Sequence, residues 1–138
     1  MNLEGAESGA QRHRLQFRWV PRLYAIVQLP PQAEVPHWAA TGDFTSVTRT
    51  TDELSIVCPS DNLPADVVSS QRWVCLKLKG PFAFALTGVL LSFIEPLSSN
   101  GIPVFAISTF DTDYVLIQEE FVQAALDRLR EAGHQLLP

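Results

Sequence analysis

Apolar and polar positions change rhythm along this chain, and each rhythm implies a different element. Over Gly101–Gln118 the residues read as two β-strands joined by a tight acidic turn. In an extended chain Ile102, Val104, Ala106 and Ser108 project to one side, and Pro103, Phe105, Ile107 and Thr109 to the other. Phe110-Asp111-Thr112-Asp113 then reverses the chain, because a short Asp carboxylate readily bonds nearby backbone N–H groups. Tyr114–Ile117 carries the return strand, rich in the aromatic and branched types that strands favour. The pattern predicts a core hairpin whose polar turn (Ser108, Thr109, Asp111, Thr112, Asp113) is a candidate recognition edge.

Elements of the same kinds flank this hairpin. Trp73–Lys79 alternates as a strand and ends at Gly80-Pro81. From Leu86 the period lengthens: Leu86, Val89, Leu90, Phe93, Ile94 and Leu97 form one helical stripe, stopped by Asn100-Gly101. Pro96, inside that stripe, is expected to kink or shorten the last turn. Glu119–Ala132 predicts a second helix with Phe121, Val122, Ala125, Leu129 and Ala132 on its apolar side. Its acids Glu119 and Glu120 suit the N-terminal end, and Arg128 and Arg130 the C-terminal end. Gly133 is the expected C-cap and His134–Leu137 a last short strand.

The order from Trp73 is therefore β-α-β-β-α-β, the ferredoxin-like plan of an α+β protein, with two helices on one face of an antiparallel sheet. The first half is thinner. Leu23–Leu29 is a strand stopped by Pro30-Pro31, and Glu34–Ala40 has room for one helical turn. Phe44–Thr50 and Glu53–Cys58 form a hairpin with Leu54, Ile56 and Cys58 on one face. Pro59–Ser70 reads as a loop. This half resembles an abridged copy of the second, by pattern alone. The expected organisation is a flexible tail over residues 1–17, an abridged lobe over 18–70 and a complete domain over 71–138.

Composition narrows the function classes. With 46% apolar and 18% charged residues in 138, the chain suits a globular fold rather than a disordered one. A net charge of −5 argues against a nucleic-acid or anionic-membrane surface. Met1–Arg14 lacks the apolar run of a signal peptide, and the longest apolar stretch, near Pro81–Leu91, falls short of a membrane span. Cys58 and Cys75 have no CxxC spacing; buried thiols in a reducing compartment are the plain reading, a disulfide or metal pair the alternative. A cytoplasmic protein is expected.

Tests for chemistry mostly come back empty. The glycines build no GxGxxG or P-loop. His13, His37 and His134 have no metal-ligand spacing and are expected to be solvent-exposed or incidental. No base–nucleophile pair is visible, so no catalytic residue, metal or cofactor is expected. Two features remain. The loop Gly80–Gly88 (GPFAFALTG) enters a helix, and bare N–H groups at a helix start can hold a carboxylate; an ordinary connection is the alternative. The Ser108–Asp113 turn offers carboxylates to an ammonium or guanidinium, although turn formation alone also accounts for Asp111 and Asp113. Edge-to-edge joining of two lobes is expected to bring the two features together across the seam.

The strings LYAIVQLP, FTSVTRTTDELSIVCPS and FALTGVLLSFIEPLSSNGIPVFAISTFDTDYVLI carry a family likeness. From Arg22 to Gly133 the chain resembles small ACT-domain proteins related to the cytosolic arginine sensor, built on the aspartate-kinase type of regulatory domain. The resemblance implies two ACT-like lobes, the first abridged, with an amino-acid ligand bound between lobes. It implies ligand contacts at Thr109, Phe110 and Asp113, matching a Thr-Phe-x-x-Asp turn, at Ile102, Pro103 and Val104 entering the preceding strand, and at Gly88. The sensor's four lobes against two here imply a homodimer. Together these readings predict a non-catalytic amino-acid sensor. Asp113 would meet the ligand's side chain, Phe110 would wall the pocket, the Thr87–Gly88 N–H groups would take the carboxylate, and a regulated protein partner would read the result. The rival is a ligand-free interaction or dimerisation module.

Overall fold

The computed structural model describes residues 12–138. Its strands and helices run β1 (Gln16–Leu29), β2 (Ser46–Arg49), β3 (Leu54–Pro59), β4 (Trp73–Leu78), α1 (Val89–Ser98), β5 (Phe105–Ser108), β6 (Asp113–Gln118), α2 (Val122–Glu131) and β7 (Gln135–Leu136). Short 3-10 turns occupy His37–Ala40, Ser60–Asn62 and Glu119–Phe121, so the expected helix from Glu119 begins as a 3-10 turn and becomes α-helical at Val122. The chain is a mixed α+β protein whose elements from β4 to β7 follow the ferredoxin-like order. Among the described residues no helix is long and apolar enough to cross a membrane. Two compact units emerge: residues 12–19 with Leu76–Pro138, and Val20–Cys75.

In the Val20–Cys75 unit the strand order is β2-β3-β1, antiparallel throughout, with Ser46 opposite Val57 and Tyr24 opposite Pro59. The period-2 pattern explains its core. Leu54, Ile56 and Cys58 turn to the same side as Ala25, Val27 and Ala39, and all six are buried in one cluster. At the hairpin, the Thr50 hydroxyl accepts the N–H groups of Asp52 and Glu53, each at 3.1 Å. Arg22 takes a left-handed φ of 84°, which costs an L-residue about 1–2 kcal/mol, next to Pro21, whose carbonyl accepts the Tyr24 hydroxyl at 3.2 Å.

The other unit holds the β4-α1-β5-β6-α2-β7 series that the sequence predicts. Its strand order is β7-β1-β4-β6-β5, so the start of β1 is inserted between the last strand of the series and the first. Gln16 and Phe17 pair in parallel with Gln135 and Leu136. Leu15 and Phe17 are buried here with Leu76, Leu78, Phe93, Leu97, Val115, Ile117 and Leu129. Phe17 meets Phe93 edge to face with centroids 5.1 Å apart, an arrangement worth about 0.5–1.5 kcal/mol beyond area burial. α1 buries Val89, Phe93 and Leu97 of its stripe, and α2 buries Ala125 and Leu129, while Ala132 lies exposed beyond the helix end.

Two expectations fail in this unit, for one connected reason. Of the expected tail, residues 1–11 lie outside the described residues, but residues 12–17 are docked rather than loose. The Leu15 N–H donates to His134 Nδ1 at 3.0 Å, and the N–H groups of Gln135 and Leu137 donate to the Leu15 and Phe17 carbonyls at 2.8 Å. His134, expected to be exposed or incidental, is buried. Pro96 explains its place. A proline has no N–H to offer the carbonyl four residues earlier, which leaves the Ser92 carbonyl without its helical donor. His134 Nε2–H fills that vacancy at 2.9 Å. α1 consequently continues through Pro96 to Ser98 instead of ending early.

Candidate functional site

The turn after β5 is fixed before any ligand is considered. The Thr109 N–H and hydroxyl both donate to the Thr112 carbonyl, at 2.8 and 3.0 Å. The buried Thr112 hydroxyl donates to the Leu78 carbonyl at 2.8 Å, which pins the turn to the end of β4. Gly80 closes the arrangement. A Cβ there would stand 2.8 Å from the Asp111 carbonyl oxygen and 3.1 Å from Thr112 Cβ, so a larger residue would push the turn away. The same Asp111 carbonyl accepts the Phe82 N–H at 2.9 Å. The loop leaving β4 and the turn leaving β5 are therefore tied to each other.

Between them lies a groove of about 220 Å³. One wall is Phe82, Ala83, Phe84, Leu86 and Val89; the other is the run Ser108–Asp113. Asp113 is held through one carboxylate oxygen, which accepts the Ser108 hydroxyl at 2.5 Å. With Asp111 it makes the second wall acidic, and among the described residues no basic side chain lines the groove. At the rim Phe84 and Phe110 meet edge to face, centroids 4.9 Å apart, yet are 77% and 78% exposed.

Gly88 stands immediately before α1 with φ 79°, a left-handed conformation that glycine adopts without strain. Among the described residues no side chain caps the helix start, and no acid lies in its first turn, so its N–H groups carry partial positive charge.

Of the residues singled out from sequence, Thr109, Phe110 and Asp113 share the groove. Thr87 and Gly88 sit in the chain between the lining residues Leu86 and Val89 but do not line it themselves. Ile102, Pro103 and Val104 are not among its walls: Ile102 is buried where its N–H bonds the Leu97 carbonyl at 3.0 Å behind α1, Pro103 is exposed and Val104 half-buried. The two features expected to converge across a seam between lobes instead face each other inside the unit of residues 12–19 and 76–138. Sequence reading marked the loop but passed over Phe82 and Phe84. A Phe-x-Phe pair in a short stretch between glycines was the available signal.

Both cysteines are free and buried. Burial pushes the Cys75 thiol up to about 12 and raises Cys58 as well, so neither supplies a thiolate near neutral pH. Among the described residues no group of three or more His, Cys, Asp or Glu side chains is placed to hold a metal ion.

Comparison with known proteins agrees with this architecture. The ACT-domain family model matches residues 68–131, and an N-terminal-domain model matches residues 22–66. The bovine (Bos taurus) cytosolic arginine sensor for mTORC1 subunit 1 is 24% identical over 113 residues, covering 69% of this chain. The chain spans 34% of that relative's length. A crystal structure of an Agobacterium tumefaciens protein is 46% identical, with a TM-score of 0.85, covering 91% of this chain and 93% of that one. A Vibrio cholerae protein of unknown function, described as a possible transport protein, shares the fold at 18% identity and a TM-score of 0.70, over 86% and 90% of the two chains. The chain is an ACT-domain protein related to the family of the cytosolic arginine sensor.

Proposed function

We propose that this protein is a non-catalytic regulatory protein that binds a small amino acid in the groove between the Phe82–Val89 loop and the Ser108–Asp113 turn. One observation carries the reading: two carboxylates line one wall of a small groove whose other wall includes Val89, the first residue of a helix with no side-chain cap. A free amino acid brings the complementary pair, an ammonium for the aspartates and a carboxylate for backbone N–H groups. Asp113 meets the ammonium or a cationic side chain, Phe110 walls the ligand, and N–H groups from Thr87–Gly88 into the first turn of α1 take the carboxylate. At about 220 Å³ the groove is below the ~300–1,000 Å³ usual for drug-sized ligands, which favours a small one. Ile102, Pro103 and Val104 join the site only if a second lobe completes it. In that arrangement the chain is two ACT-like lobes, an abridged one over 18–70 and a complete one over 71–138, paired as a homodimer in the cytoplasm. Regulation requires that the ligand prefer one conformation or one assembly, which a protein partner then reads.

Calorimetry against each of the standard amino acids, repeated with Asp113→Ala, tests the reading. Heat from one or a few of them, abolished by the substitution, supports it; silence from all removes it. The exposed Phe84–Phe110 pair favours a second reading, a ligand-free docking module. Co-purification with a protein partner, unaffected by amino acids and lost in Phe84→Ser/Phe110→Ser, would select that alternative.

A further inference from the structure

Residues 12–15 do more than begin a strand. The His13 N–H donates to Ser92 Oγ at 3.0 Å, and that hydroxyl donates onward to the Gly88 carbonyl at 2.6 Å. His13 Nε2 lies 2.9 Å from the Thr87 carbonyl, a distance at which its N–H donates to that oxygen. Two residues on, Leu15 is anchored by His134, whose other nitrogen is spent on Ser92. The last two carbonyls of the Gly80–Gly88 loop are thus both held, directly or through one hydroxyl, by a segment more than seventy residues away in sequence. Neither His13 nor Ser92 lines the groove.

We propose that Arg12–Leu15 is a strap that holds the Phe82–Gly88 loop in its groove-forming shape, with His13 and Ser92 as the positioning residues. Within the loop Phe82 is bonded to Asp111 and Leu86 to Ala83, and the Gly88 carbonyl also accepts the Ser92 N–H at 2.9 Å as the first helical bond of α1; the bonds from His13 add a tie to a distant segment. A free loop samples many shapes, and a ligand that needs one of them binds more weakly by the fraction of time that shape is absent. The strap removes that loss before the ligand arrives. Its bearing on affinity rests on the amino-acid reading of the groove; its hold on the loop does not.

Hydrogen exchange read by mass spectrometry on the ligand-free full chain separates the two. In His13→Ala and Ser92→Ala the peptide covering residues 82–91 is expected to exchange about fivefold faster or more, while the β5–β6 peptide, residues 105–118, keeps its protection. His13→Gln, which retains an N–H donor, is expected to recover part of the loss. For the amino acid found by calorimetry, the alanine variants bind about tenfold more weakly. Unchanged exchange at 82–91 in both alanine variants overturns the strap, as does faster exchange spread equally over 105–118, which would mean global destabilisation. Faster exchange confined to 82–91 in a protein that binds no amino acid leaves the strap standing and removes the ligand reading instead. Faster local exchange with unaltered affinity overturns the strap's role in setting the groove.

Discussion

Acidification should loosen this protein through one side chain, His134. In the fold its ring is neutral: Nε2–H donates to the Ser92 carbonyl and Nδ1 accepts the Leu15 N–H, so a proton on Nδ1 has no acceptor and confronts another donor. Burial lowers its pKa from the ordinary 6.5, and the bond to Ser92, which pulls the other way, does not cancel that. The charged groups facing the clefts beside it are Arg12 and Arg14 from the strap, Glu95 from α1 and Arg130 from α2, three cations against one carboxylate. The sign follows from linkage. Above pH 6.5 both folded and unfolded chains hold the ring neutral and the stability is fully present. As pH falls below that value the unfolded chain takes up a proton that the folded chain refuses, so stability drops until the lowered folded pKa is reached. The slope approaches but does not exceed about 1.4 kcal/mol per pH unit. Urea unfolding at about pH 7.5 and pH 5.5 should therefore differ by up to about 1.4 kcal/mol from this residue. His134→Gln should abolish that difference and cost about 1–3 kcal/mol at the higher pH, by leaving the Leu15 N–H or the Ser92 carbonyl unpaired. Equal pH slopes in the wild type and His134→Gln would refute the reasoning, and so would an NMR midpoint for the His134 ring at or above 6.5.

Two further outcomes follow from packing around the site and the core. Gly80→Ala places a Cβ 2.8 Å from the Asp111 carbonyl oxygen and should displace the acidic turn, weakening amino-acid binding about tenfold or more while the far-ultraviolet circular dichroism stays unchanged. Cys75, buried with its thiol pushed up to about 12, should resist alkylation at neutral pH in the native protein and react at ordinary thiol rates in urea; rapid native labelling would contradict its placement.

The parts of the fold set by local periodicity were readable from sequence. Leu54, Ile56 and Cys58 share the buried face that alternation assigned them, and the Phe93–Leu97 stripe faces the core as its helical spacing required. Contacts over long separations were not readable. Leu15 and Phe17 also alternate with polar Arg14, Gln16 and Arg18, a legible strand signal, but nothing local shows that this strand seats beside β7. His134 was misjudged for the same reason. Its importance comes from a carbonyl left vacant by Pro96, and only folding brings the two together. At the groove the acidic turn was visible from its own residues, whereas its opposing wall, Phe82 and Phe84, depended on the loop folding back through the Phe82–Asp111 bond.

The insertion of β1 between β7 and β4 has a consequence for how the chain is made. Leu15 leaves the ribosome well before its partner His134, which is 119 residues behind it. At ~5–20 residues per second that interval is on the order of ten seconds. Throughout it, the nascent Leu15–Phe17 edge presents unmatched amides and two apolar side chains, the sort of edge that captures stray strands. The Val20–Cys75 unit contains none of these late residues and can mature sooner, whereas its neighbour cannot close until Gln135 and Leu136 have been made. Truncation before His134 would therefore cost the lobe both β7 and the seat of the start of β1.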